Sequence, residues 1–426
     1  MTRRTRTIIF LACFLLFISV APSAVLYSQG YRFDFENKKF TQTGGFFLKT
    51  VPRQADVYIE GKLNKKTDFF FGSALVENLL PKRYKIEVKK EGYHSWEKTL
   101  EIKEKEVIEA KNIVLFPQDV NFNVLSGQTE QFWFSPDQKR IILKEKEKLG
   151  WALKLYDLEK NIKSHLIKEG DIFAEGTELV NLTFSEDSKR IYLEASAKER
   201  IEYFVLELDR LTPLLTEIDS PPLPIENAIV YRQINNNIYY LDDSGYLFEN
   251  EGKLASEPFP VKQETKYILD VFQKFIFLQE ENDILYKFNP DLKTFEIFFE
   301  KIQSSKISPD NRKLAYFSDH EIWTLLLNDK NDPPQKKTGD KVFLMRLSEK
   351  ITDVFWLNDN YLIFIAGDKI KISEIDDRDR LNIIDIFEIK KLPQNGSAVK
   401  MFWNQFDKKL YLLSENNLYG SGALLP

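Results

Sequence analysis

Residues 132–143 read FWFSPDQKRIIL: Phe132-Trp133-Phe134, then Ser135-Pro136-Asp137, then Lys139-Arg140 leading into Ile141-Ile142-Leu143. An apolar run, a polar turn and a second apolar run describe two strands joined by a hairpin. Proline presets φ in such a turn, and Ser and Asp bond back to nearby backbone. The same order returns at Leu182-Thr183-Phe184-Ser185-Glu186-Asp187, which leads into Lys189-Arg190-Ile191-Tyr192-Leu193. It returns again at Lys306-Ile307-Ser308-Pro309-Asp310 before Lys313-Leu314-Ala315-Tyr316-Phe317. Val354-Phe355-Trp356-Leu357-Asn358-Asp359 before Tyr361-Leu362-Ile363-Phe364 is a fourth copy. Met401-Phe402-Trp403-Asn404 before Lys409-Leu410-Tyr411-Leu412-Leu413 is a fifth.

The first two copies start about 50 residues apart, as do the last three. Weaker units around Ile229-Val230-Tyr231 and Ile268-Leu269-Asp270-Val271 fill the gap. Seven units of this length match the period of propeller blades, each a four-stranded sheet. On these Ser-Pro-Asp turns, residues 117–426 resemble the TolB-like and tryptophan–aspartate-type β-propellers. The last unit is short, so its outer strand must come from elsewhere. Residues 119–125 (DVNFNVL) alternate suitably and are expected to complete it, removing an exposed edge. Only 17 glycines in the whole chain is few for so many turns, which keeps a six-bladed ring open.

Upstream, residues 8–27 (IIFLACFLLFISVAPSAVLY) carry no charge, and Arg3, Arg4 and Arg6 precede them. About 20 apolar residues cross a bilayer, and flanking cations stay on the cytoplasmic side. The expected arrangement is a cytoplasmic N-terminus over residues 1–7, a single transmembrane anchor over 8–27, and the remainder outside the cytoplasm. The rival reading is a cleaved signal peptide with Ala21-Pro22-Ser23 as its small-residue site. Residues 28–44 are expected to form a polar, extended spacer. Cys13, the only cysteine, falls within the apolar run and excludes an intrachain disulfide.

Residues 45–116 alternate with the period of strands. Ala55, Val57 and Ile59 share one face, as do Tyr84, Ile86 and Val88, and Leu100 and Ile102 follow. Gly61, Pro81 and Gly92 punctuate them as turns. The sum is a small sandwich of short antiparallel strands. An order of features carries a family resemblance here: Gly45-Phe46-Phe47-Leu48, then Pro52-Arg53-Gln54-Ala55, Val57-Tyr58-Ile59-Glu60-Gly61, Leu80-Pro81-Lys82-Arg83-Tyr84 and Gly92-Tyr93. This stretch resembles the PEGA domain. Arg53-Gln54 replaces the family's Glu-Gly, Lys82 replaces a Gly, and Thr67-Asp68 stands for Thr-Pro. The resemblance implies a surface-exposed cell-envelope module and no catalytic set. The fold class is thus all-β: a transmembrane helix, a small PEGA-like β-sandwich over 45–116 and a propeller of about seven blades over 117–426.

Charge narrows the partners. Residues 117–426 carry 40 basic and 52 acidic side chains, a net −12, which repels phosphate backbones and argues against nucleic acid. Chemistry is sparse. His94, His165 and His320 show no metal-ligand spacing, and no nucleophile elbow or phosphate loop occurs. The run Asp376-Asp377-Arg378-Asp379 lacks the glycine turn and distal Glu of a calcium loop and reads as a solvated loop. Asn358-Asp359-Asn360 reads as a hairpin turn. The Ser-Pro-Asp copies read as turns too, since an active site needs one constellation and not several. Lys85, Lys89, Lys90, Lys98, Lys103 and Lys105 form a basic density, expected to be a solvated strand face or else a contact for anionic lipid or wall polymer. No catalytic, metal-binding or cofactor-binding residue is expected. The expected function is a non-catalytic, membrane-anchored envelope protein whose propeller binds or scaffolds an envelope protein. A receptor for cell-wall glycan or peptidoglycan is the alternative, and a propeller hydrolase or lyase, using paired carboxylates, the second.

Overall fold

The computed structural model describes residues 3–172, 176–197, 200–210, 214–219, 225, 227–234, 236–281, 283–331, 334–393 and 399–425. The chain divides into two compact units. One holds the chain up to Asp119 together with Asp376–Ile384; the other holds Val120–Ile375 and Asp385–Leu425.

The first unit opens on a helix over Arg3–Ser28, a full turn longer at its start than the uncharged run. Its stretch Thr5–Ser28 is long and apolar enough to cross a bilayer, spanning about 36 Å at 1.5 Å per residue. Its few polar groups turn back on the helix: Ser19 Oγ donates to the Leu15 carbonyl (2.8 Å) and Ser23 Oγ to that of Ser19 (2.7 Å). A segment in lipid must satisfy its own polar groups in this way.

The spacer expected over 28–44 is not extended. It folds into a hairpin of Tyr31–Asp34 against Lys39–Gln42, with Phe33 opposite Phe40. The Asp34 carboxylate closes the turn by accepting from the Glu36 and Asn37 amides (2.9 and 3.1 Å) and the Asn37 side chain (2.8 Å). The side chain of Asn37, and then its amide, hold that carboxyl below its ordinary range. An Asx turn is local chemistry that composition alone hides.

Two sheets follow. One runs Lys62–Lys66, Asp56–Ile59, Arg83–Lys89, Trp96–Glu101 in spatial order; the other has Gly44–Val51 between Ser73–Leu79 and Val107–Val114. The alternating residues read from the sequence meet as expected, with Val57 opposite Val88, Ile59 opposite Ile86 and Tyr84 opposite Leu100. They bury one core with Phe46, Leu48, Trp96 and Ile113. One pairing departs from the all-antiparallel expectation: Gly44–Val51 runs parallel to Val107–Val114. The intervening strands supply the crossover that a parallel pair requires.

The second unit is a propeller. Among the described residues it has seven four-stranded sheets. Blades 1 to 7 begin with the strands Thr129–Phe134, Glu178–Phe184, Ala228–Ile234, Tyr267–Phe272, Ser304–Ile307, Ile351–Asn358 and Lys400–Asn404. The second strands of blades 4 and 6, Phe275–Glu280 and Tyr361–Ala366, are buried on both faces. They therefore read as unbroken apolar runs without alternation.

The ring closes as the sequence demands. Phe122–Gly127 is the outer strand of blade 7, antiparallel to Asn417–Ala423, with Val124 opposite Tyr419. From this strand Ser126 Oγ bonds the buried Glu145 carboxylate of blade 1, which also takes Lys154 Nζ (2.8 Å) and Lys163. Burial opposes the Glu145 charge, but Lys154, Lys163 and Ser126 outweigh it and hold the carboxyl below its ordinary range.

Two predictions follow from closure. Val124→Pro, which puts a rigid ring beside the bulge of the closing strand at an exposed side chain, is expected to lower the midpoint of the propeller's thermal unfolding well beyond what Val124→Thr does. Glu145→Leu is expected to cost about 3 kcal/mol, the low end for a broken buried pair, since Lys154 keeps Glu147 (3.4 Å) and Lys163 keeps Ser126 Oγ (2.8 Å). The Glu145 pKa is lowered on folding, so its contribution is complete above the unfolded value of about 4.3 and fades as pH falls through the folded value. Urea titrations of both proteins between pH 7 and pH 3 should therefore converge at the acid end.

Candidate functional site

The Ser-Pro-Asp turns are structural. In blade 1 the Ser135 hydroxyl donates to Asp137 Oδ1 (2.6 Å) and accepts from the Arg140 amide (3.0 Å), while the Lys139 amide donates to Asp137 (3.1 Å). Ser185 with Asp187 and Ser308 with Asp310 repeat all three bonds. The fourth residue of each turn, Gln138, Ser188 or Asn311, takes a φ near +60°. The turns also join blades: the Asp137 amide donates to Ser188 Oγ (3.2 Å), the Asp310 amide to Asp359 Oδ1 (2.9 Å), and the Gln405 amide to Gln138 Oε1 (2.6 Å). Asn358-Asp359-Asn360 forms the hairpin turn read from the sequence, with Asn358 opposite Tyr361.

The histidines do not converge. His94 is half-buried in the sandwich, while His165 and His320 are exposed on blades 1 and 5, His320 with Nδ1 3.3 Å from the Glu349 carbonyl. Among the described residues no group of three or more His, Cys, Asp or Glu side chains is placed to hold a metal ion.

Two charged stretches differ from their expected roles. Asp376-Asp377-Arg378-Asp379 is not a free solvated loop. Arg378 forks onto the Asp376 carboxylate (2.9 and 2.6 Å), and Asp379 accepts from the Thr99 amide (2.6 Å). Burial works against the Asp376 charge, but Arg378 prevails and holds the carboxyl below its ordinary range. Nor is the lysine density one solvated face. Lys98 is only 1% exposed, its Nζ on the carbonyls of Asp376 (2.7 Å) and Arg380 (3.1 Å). Glu87 neutralises both Lys85 and Lys89, and Lys90 bonds the Arg53 carbonyl (2.5 Å). Lys103 and Lys105 remain exposed.

What the sequence reading missed lies on the first strands of the blades, the ones that approach one another around the ring. Consecutive blades 3 to 7 place Arg232, Asp270, Lys306, Asp353 and Lys400 there, one charge per strand with alternating sign. The neighbours of Asp270 on either side, Leu269 and Val271, go into the apolar core, so Asp270 takes the opposite face of a two-residue repeat. Burial pushes the Asp270 carboxyl above its ordinary range, against the pull of Arg232 and Lys306. Burial does the same to Asp353, against the Met401 amide (3.4 Å), Lys306 and Lys400. Lys306 thus faces both carboxylates, yet no ion pair within 4.0 Å joins any of the five among the described residues. Beside them, Phe134 stacks on Phe402 at 4.0 Å and Phe355 meets Phe402 at 5.5 Å, with Lys306 Nζ 5.7 Å from the Phe355 ring. A charge inside an otherwise apolar first strand was the available signal in ILDVF and ITDVF, while the serines of SSKIS hide Lys306.

This geometry offers separated charges of both signs on neighbouring first strands, a surface for holding a polar ligand, while Phe134 and Phe402 belong to the core between blades 1 and 7. Replacing Lys306 by Met is expected to raise the pKa of Asp270 and Asp353 together, because each loses an attracting cation while its burial stays. Carboxyl-carbon NMR titration of Asp-labelled protein reads this directly, with Asp187, held low by its bond from Ser185, unmoved.

A small sandwich of this topology, followed by a closed seven-bladed ring, defines an all-β two-domain protein. Residues 43–114 match the PEGA domain family, so the chain carries a PEGA domain followed by a β-propeller. No curated protein matches the chain. Among solved structures it is similar to the β-propeller domain of Cps50 (Swd1) from Myceliophteria thermophila, at 10% identity and a TM-score of 0.38, over 70% of this chain and 99% of that one. It is similar to YCF48 from Cyanidioschyzon merolae at 11% identity and a TM-score of 0.41, over 71% and 98%. An oligogalacturonate lyase in complex with manganese scores 0.41 at 10% identity, over 73% and 96%.

Proposed function

We propose that this protein is a non-catalytic, membrane-anchored component of the cell envelope that holds a protein partner at the axis of its propeller. The chain outside the anchor lies beyond the cytoplasm, as the arginines before the apolar helix direct. The PEGA domain and the propeller both fit an extracytoplasmic binding or scaffolding role. The observation that carries the reading is the alternating ring of Arg232, Asp270, Lys306, Asp353 and Lys400, charges not consumed by one another within ion-pair distance. A polypeptide segment bearing both signs of charge matches such a ring, and desolvated pairs of this kind give specificity. The exposed Lys103 and Lys105 of the PEGA domain favour a second reading, an anionic wall polymer held there.

The test is photo-crosslinking on intact cells with the photoreactive residue at Thr352, exposed beside Asp353. One recurrent envelope protein is expected, lost when Lys306 and Asp353 are replaced by Ala. Wall polymer attached to residues 45–116, with no protein at Thr352, would reject the protein-partner reading in favour of the second. The intact chain is also expected to leave the membrane only with detergent.

A further inference from the structure

We propose that the hairpin after the apolar helix is a membrane collar, its phenylalanines seated in the outer headgroup layer of the bilayer that the helix crosses. The inference rests on the anchor reading above and goes beyond it, since it assigns a lipid contact to a segment outside the span.

Three observations carry it. First, Phe35 is 82% exposed, Phe40 63% and Phe33 37%, and the three pack edge-on, at 5.0 Å from Phe33 to Phe35 and 5.2 Å from Phe33 to Phe40. Each ring can bury 150–250 Å², so a cluster left in water forgoes that gain. Second, the cluster is held against the helix end. Arg32 Nη1 donates to the Tyr27 carbonyl (2.9 Å), its guanidinium lies 3.5 Å from the centre of the Tyr27 ring, and the Thr43 amide returns to the Gly30 carbonyl (2.9 Å). The apolar stretch is longer than the roughly 30 Å of hydrocarbon it must cross, so its end and Tyr27 reach the headgroup zone. Third, the exposed Lys38 and Lys39 lie in the same hairpin as the rings and suit lipid phosphates.

The hairpin is also fastened to the PEGA domain. Arg32 Nη2 donates to Asn78 Oδ1 (2.7 Å), and Thr41 Oγ1 bonds the Glu104 carboxylate. The collar therefore seats the sandwich on the bilayer end-on, with the start of strand Gly44–Val51 towards the lipid. The other exposed aromatic cluster, Phe69, Phe70 and Phe71, belongs to the opposite end. Its loop leads into Ser73, which pairs with Lys49, five residues and about 17 Å along the strand from Gly44.

The single cysteine makes the test clean. The full chain is reconstituted in phosphatidylcholine–phosphatidylglycerol vesicles with an environment-sensitive fluorophore on Cys13, or on Phe35→Cys, Phe40→Cys or Phe70→Cys in a Cys13→Ser background. Nitroxide lipids then quench either deep in the acyl chains or near the headgroups. Deep quenching at Cys13 is expected, shallow quenching with a blue shift at Phe35→Cys and Phe40→Cys, and neither at Phe70→Cys. If Cys13 is quenched deeply and both hairpin probes are not quenched at all, the anchor stands and the collar is wrong. Equal shallow quenching at Phe70→Cys overturns the end-on seat. An unquenched Cys13 removes the anchor and the collar together.

Discussion

Everything in the larger unit depends on one antiparallel pairing, Phe122–Gly127 against Asn417–Ala423. Without it blade 7 would have three strands and an open edge, and the ring would be an arc whose first and last blades each expose a face built for burial. The pairing turns an additive row of sheets into one closed object. The turns then share bonds from blade to blade, through Asp137 and Ser188, Asp310 and Asp359, Gln405 and Gln138. Closure also fixes the axis, and it sets the five charges on neighbouring first strands of one ring.

The two halves of the chain solve different problems with the same residues. In the PEGA domain each strand has one wet face, so its apolar residues alternate and its partners can be read across the sheet. In the propeller the inner strands are covered by neighbours on both sides, and alternation gives way to runs such as Tyr361–Ala366. Lys98 shows what neither pattern foretells. It shares the buried face of Trp96 and Leu100, where alternation calls for an apolar side chain, and it is tolerated there because backbone carbonyls from residues 376 and 380 come to meet its ammonium.

This explains what could be read from residues alone. Repeated Ser-Pro-Asp turns are local chemistry with a fixed spacing, so the propeller, the turn role of Ser135 and its relatives, and the need for a borrowed outer strand were legible, while the choice between six and seven blades was not. The core of the PEGA domain was legible for the same reason. The hairpin over 31–42 was not, since its turn rests on Asp34 reaching three donors, a geometry shared by many polar stretches that stay extended. The parallel pairing of Gly44–Val51 joins residues some sixty positions apart, which no short-range pattern encodes. The axial charges escaped notice because each stands alone in its strand, and only closure gathers Arg232, Asp270, Lys306, Asp353 and Lys400. An acidic net charge says nothing of such an arrangement.

The borrowed strand also sets a timetable. Phe122–Gly127 is synthesised about 290 residues before the strand it pairs with, an interval of roughly 15 to 60 s at ordinary elongation rates. Throughout that time a ready-made strand edge waits without its partner while six blades are completed beside it. The lock is made only when Asn417–Ala423 has emerged, so a chain interrupted anywhere before Asn417 carries an orphaned strand edge. Only a chain that has passed residue 423 can cover the edge laid down at residue 122.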